Sequence, residues 1–277
     1  MRRAALSAVL TAAVLVFSVP RAGEAQSYKV PRTASGQPDL NGIWQALNTA
    51  NWDLEAHEAA AGPVLELGAA YAMPPGPGVV VDGPIPYKPD ALAMKKKYAA
   101  NALREDAEVK CYLPGVPRMM YMPYPVQIVQ STSQIVMMSE FASAIRTIYV
   151  NGTTPPPADT WMGWSNAKWD GETLVIDSKG FMGGTIGALD PEGTIHVRFL
   201  DRAGNYHTDG LHVVERIRRT DADHLSYQAT IEDPNVYTRP WTISMPLYRR
   251  VEPNMQLGDF KCEEFVGDLV FGKYQRK

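Results

Sequence analysis

Leu211-His212-Val213-Val214-Glu215-Arg216-Ile217-Arg218, then Asp221-Ala222-Asp223, then Leu225-Ser226-Tyr227-Gln228-Ala229-Thr230-Ile231 is the stretch that decides the fold class. Apolar residues recur at every second position on both sides of a short acidic turn, the period of a half-buried strand rather than of a helix. A third segment, Trp241 to Arg249, repeats the pattern with Trp241, Ile243, Met245 and Leu247 on one face. Working back toward the N-terminus, strands are predicted over 127–129, 135–141, 146–150, 167–169, 172–177 and 194–200. Each is short, rich in β-branched or aromatic residues and bounded by turn chemistry such as Asp170-Gly171 and Ala203-Gly204-Asn205. Successive strands with short turns and no alternating helices predict a mainly β chain whose antiparallel strands close, or nearly close, a barrel.

The segment from 46 to about 110 differs in texture: it is Ala-rich, broken by Pro74-Pro75-Gly76-Pro77-Gly78, and ends in a helical pattern with Met94, Tyr98 and Ala102 on one stripe. Asp90 is expected as its N-cap. This reads as a helical insertion packed on the outside or mouth of a single β domain spanning 26–277. Before it, Met1-Arg2-Arg3, the apolar run Ala4 to Val19 and the small residues Gly23 and Ala25 form the three parts of a secretory leader. The run is shorter than the roughly 20 apolar residues that span a bilayer. Cleavage is expected after Ala25, leaving a periplasmic or secreted protein without an integral membrane segment. In that compartment the two cysteines, Cys111 and Cys262, are expected to pair.

Composition narrows the function. With 45% hydrophobic and 21% charged residues and a formal net charge of −3, the 277-residue chain can bury a core. It also lacks the basic surplus of a nucleic-acid binder. No P-loop, no dinucleotide-binding glycine fingerprint and no zinc-type cysteine pair occurs, so no cofactor and no metal is called for.

Gly42-Ile43-Trp44 at the head of the first strand is similar to the opening of lipocalin-like barrels, in which the glycine lets the backbone curve and the tryptophan plugs the floor. A wider set of motifs resembles a large family of exported bacterial hypothetical proteins of this barrel type. They are Pro38-Asp39-Leu40-Asn41-Gly42-Ile43-Trp44, Pro114-Gly115-Val116-Pro117-Arg118, Thr160-Trp161-Met162-Gly163, Leu211-His212-Val213-Val214-Glu215-Arg216 and Ile231-Glu232-Asp233-Pro234. The resemblance implies a shared fold and a site centred on the 207–216 segment. It brings no established reaction and no substrate.

Candidate site residues are polar groups set in apolar strands. Glu215 shares a face with Leu211, Val213 and Ile217, so it is paired with a base such as Arg146 or Arg239, raised in pKa, or aimed at a ligand. His212 lies on the opposite parity, three residues away, and cannot share that face. His207 and His212 are candidate general bases, with Glu215 or Asp177 as acid or orienter. Arg146 is a candidate anion partner, Glu140 a second embedded acid, and Tyr121, Tyr124, Trp161 and Trp164 candidate walls of an apolar pocket. Together they predict a cofactor-independent enzyme of lyase or isomerase type acting on a small hydrophobic or aromatic molecule. A non-catalytic carrier of such a ligand and a structural envelope protein are the alternatives.

Overall fold

A computed structural model describes residues 28–62, 72–81, 83–100, 102, 106–109, 111–183 and 198–261. The leader and Cys262 lie outside the described residues, as do 194–197 of the predicted strand 194–200. Eleven strands and one helix occur among the described residues. They are β1 Gly42–Gln45, α1 Pro89–Ala99, β2 Val126–Gln130, β3 Gln134–Ser139, β4 Ile145–Val150, β5 Trp164–Asp170, β6 Thr173–Lys179, β7 Arg198–Phe199, β8 Tyr206–His207, β9 His212–Arg219, β10 His224–Glu232 and β11 Trp241–Arg249.

Nine of these strands close the lipocalin-like barrel in the order β1-β11-β10-β9-β6-β5-β4-β3-β2, while β7 and β8 form a separate two-stranded ladder. All neighbours in the ring run antiparallel except β4 and β5, which are parallel. The antiparallel barrel expected from the sequence is present with this one exception, and nine is the reason for it: strands alternating up and down around a closed ring of odd number must leave one pair running the same way. The connection between them, residues 151–163, has the dozen or so residues that a parallel pair requires.

Two smaller differences are local. The β5–β6 reversal pairs Asp170 with Thr173, so Gly171-Glu172 occupies the turn rather than Asp170-Gly171. Helix α1 starts earlier than expected: Lys88 is the extended cap residue, Pro89 fills the first helical position, and Asp90 lies in the first turn. Proline loses nothing at a position whose N–H has no intrahelical partner, and the carboxylate suits the positive end of the helix.

The barrel interior is packed. Ile135, Met137, Ile148, Leu174, Ile176 and Tyr227 expose no surface. One end is sealed by Trp44, fully buried, whose indole Nε1 donates to the Leu40 carbonyl at 3.0 Å. The Arg219 guanidinium sits 5.5 Å from the Trp44 ring centre and donates to the carbonyls of Asp39, Asp221 and Ala222. Gly42 makes this floor possible: its φ of +143° is closed to side-chain-bearing residues, and an added Cβ would stand 3.2 Å from the Trp44 nitrogen. The opposite end is the mouth. The insertion, the β7–β8 hairpin and residues 233–240 all emerge there, and Tyr98 of α1 packs its ring against Phe199 at 6.1 Å and Tyr206 at 4.9 Å.

Candidate functional site at the barrel mouth

The β7–β8 ladder is two residues long and therefore divides its side chains cleanly between two faces. Phe199 lies opposite Tyr206, and both enter the aromatic plug around Tyr98. Arg198 lies opposite His207, so these two side chains share the other face.

The turn between the strands is held by Asp201. Its carboxylate accepts the Asn205 backbone N–H at 3.1 Å and the Leu54 N–H of the insertion at 2.9 Å. Burial, then the neighbouring Asp53 charge, pushes the Asp201 carboxyl up to about 7. Beside it, Arg118 is enclosed and donates to both oxygens of Asp106 and to Glu108, while Arg202 donates to Glu108 through Nε at 2.7 Å and Nη2 at 2.5 Å. Burial alone would raise the Glu108 carboxyl, but the Arg202 hydrogen bonds and the Arg118 charge outweigh it and hold it low. Arginine and carboxylate satisfy one another here, and the network fixes the hairpin to the insertion.

His207 is different. It is 5% exposed, and burial drives its pKa down to about 4, so the ring is neutral at physiological pH. Nδ1 lies 2.8 Å from the Thr208 carbonyl, which can only accept, so Nδ1 carries the proton and Nε2 the lone pair. Thr208 is itself clamped by Asp233, which takes its N–H at 2.6 Å and its hydroxyl at 3.0 and 2.9 Å. Phe181 meets the imidazole edge-on at 6.1 Å. The Phe181 ring lies where a Cβ on Gly163 would stand, at 2.4 Å, so only glycine at 163 admits it.

Arg198 stacks its guanidinium on Trp161, 3.4 Å from the ring centre, with Tyr112 against the same indole at 4.4 Å. Its Nε donates to the Met182 carbonyl at 3.2 Å. Among the described residues no carboxylate pairs with it, although it is only 9% exposed, and burial pushes its pKa down to about 10. The side-chain nitrogens and oxygens sealed from water without a partner are His57 Nε2, Trp164 Nε1, Asn166 Oδ1 and Trp241 Nε1. Among the described residues neither His207 Nε2 nor the Arg198 amino groups have a hydrogen-bond partner, the bonds of these two side chains being those of Nδ1 and Nε.

The other sequence candidates lie elsewhere. Glu215 and Arg146 form an enclosed ion pair inside the barrel, joined by Ser165, Ser178 and Tyr227. His212 lies outside it, its Nε2 3.1 Å from Asp177 and its Nδ1 3.3 Å from Glu232, so His212 and Glu215 sit on opposite sides of the sheet as their spacing requires. Glu140 accepts the Gly258 N–H at 2.9 Å, and Tyr124 packs with Phe141 and Phe260. Tyr121 is buried with its hydroxyl on the Leu200 carbonyl at 2.7 Å, and Trp164 stacks on Tyr149 at 4.6 Å along the outer wall. Of the predicted set, the structure pairs Arg146 with Glu215 inside the barrel and His212 with Asp177 outside it, and brings His207 and Trp161 to Arg198 at the mouth.

Arg198 and Phe181 escape a reading by sequence. The available signal was an arginine inside the apolar run Val197-Arg198-Phe199-Leu200. Among the described residues no group of three or more His, Cys, Asp or Glu converges as a metal site. No helix among them is long and apolar enough to cross a membrane. Comparison with protein families, with curated proteins and with solved structures gives no match for the chain.

Proposed function

We propose that this protein is an exported, cofactor-independent acid–base enzyme of lyase or isomerase type that acts on a small aromatic or apolar molecule at the barrel mouth. The observation that carries the proposal is His207: a buried imidazole kept neutral, with its tautomer fixed by Thr208 and its basic nitrogen without a hydrogen-bond partner among the described residues. Nε2 takes a proton from carbon, and the C–H electron pair becomes part of a double bond. The imidazolium then returns the proton to a departing group or to a more distant carbon, so no redox partner is needed. Trp161 and Tyr112 supply an apolar wall. The proposal includes a leader cut after Ala25, a periplasmic location, a Cys111–Cys262 disulfide and membership of the exported barrel family that the sequence resembles.

Native mass spectrometry of protein purified from its own host, with identification of any small molecule it carries, gives the starting compound. Proton exchange on that compound in D2O, followed by NMR, then reads the chemistry. One carbon-bound hydrogen is expected to exchange, and His207→Gln to slow it about 100-fold or more. Tight binding with no exchange beyond that of the variant would overturn the enzyme and favour the carrier.

A further inference from the structure

We propose that Arg198 is the receptor for a monocarboxylate: an end-on guanidinium fork that holds the acid group of a flat apolar ligand whose body lies along Trp161. The proposal rests on the placement of the acid–base site at the mouth and adds the ligand's chemical class.

A buried guanidinium ordinarily has a carboxylate partner, since an unpaired charge taken out of water is costly. The same fold supplies that partner twice, to Arg118 through Asp106 and Glu108 and to Arg146 through Glu215. Arg198 is 9% exposed, and among the described residues its partners are an indole face and one carbonyl. Nε is taken by Met182, so the donors left are those of the two terminal amino groups, in the plane and spacing that match two carboxylate oxygens. A single cation beside a neutral imidazole balances one negative charge, which favours a monocarboxylate over a phosphate dianion. The anion would also cancel the positive field of Arg198 at the directly opposite His207. The stacked indole fixes the plane of the fork and continues as a surface for a ring.

The probes are benzoate, the neutral isostere benzamide and inorganic phosphate, titrated against wild type, Arg198→Met and Arg216→Met by tryptophan fluorescence and calorimetry. Benzoate is expected to bind at least about tenfold more tightly than benzamide or phosphate, the scale of one lost charge-assisted hydrogen bond. Arg198→Met should abolish that preference while raising the melting temperature of the unliganded protein by about 2–4 °C, because it removes an uncompensated charge. A merely structural arginine would give the opposite thermal shift. Arg216→Met, which removes an exposed arginine paired with Asp170 away from the site, should bind benzoate within about twofold of wild type. Equal binding of benzoate and benzamide, tighter binding of phosphate, or an Arg198→Met protein that melts lower and still prefers benzoate overturns the proposal. Arg198-dependent benzoate binding in a protein that exchanges no substrate proton would instead remove the enzyme and leave the carboxylate receptor standing.

Discussion

Replacing Glu215 with leucine tests whether the charges inside the barrel are structural. Arg146 would keep its charge in a site where its side chain is 1% exposed, with Ser165 and Ser178 as its remaining hydrogen-bond partners. An ion stripped of its buried partner costs about 3–5 kcal/mol. The Tyr227 hydroxyl, which donates to Glu215 at 2.8 Å, would lose its acceptor at a further cost of about 1–3 kcal/mol. For a protein of this size each kcal/mol shifts the melting temperature by about 2–4 °C, so a fall of roughly 10–20 °C is expected. Arg146→Met combined with Glu215→Leu and Tyr227→Phe removes both charges and the orphaned hydroxyl together, and Ser165 and Ser178 still bond each other at 3.0 Å. That triple variant should lie within about 2 kcal/mol of wild type. The assay is urea unfolding followed by far-UV circular dichroism on the single and combined variants, analysed as a mutant cycle. If Glu215→Leu costs less than about 1 kcal/mol, or if the losses simply add, the pair is not the closed unit described and the inference is refuted.

Gly42→Ala forces a side chain into a φ of +143° and toward Trp44, and should cost about 1–3 kcal/mol in thermal unfolding without altering ligand binding at the far mouth. His207 and Asp201 titrate in opposition: His207, lowered to about 4, contributes stability above the ordinary histidine pKa that is lost as pH falls toward 4, whereas Asp201, raised to about 7, contributes stability below pH 4 that is lost as pH rises to 7. His207→Gln removes the first alone, so its melting temperature relative to wild type should drop progressively from pH 4 to pH 6.5; a pH-independent difference would count against the buried neutral ring. The proposed Cys111–Cys262 disulfide predicts an intact mass two hydrogens below the reduced chain and a loss of roughly 5 kcal/mol on reduction, the scale for so long a loop; an unchanged unfolding midpoint in reductant would argue otherwise.

The barrel was legible where the alternation is strict. β11 coincides with the stretch expected from its pattern, and β9 and β10 differ from theirs by a residue or two at the ends. The opposition of His212 and Glu215 also followed from parity alone, and Arg146 was one of two bases named for Glu215. The mouth was not legible, because its geometry is set by contacts distant in sequence. The ladder that places Arg198 opposite His207 depends on a turn fastened by Asp201 to Leu54, 147 residues away. No local pattern distinguishes an arginine that finds a carboxylate, as Arg118 does, from one that does not.

The odd number of strands in the ring has a consequence for the site. Had the ring held an even number, the chain leaving Val150 could have turned back at once, and Thr160-Trp161-Met162-Gly163 would have been stranded beside the Trp44 floor. The same-direction pair instead compels a return stroke along the outer wall, with Thr154 held by Asn166 and Thr160 laid beside Phe181. That stroke ends at the mouth and delivers the Trp161 indole beneath Arg198 and the bare backbone of Gly163 against Phe181. The parallel pairing of β4 with β5 is thus what determines which end of the ring receives the indole.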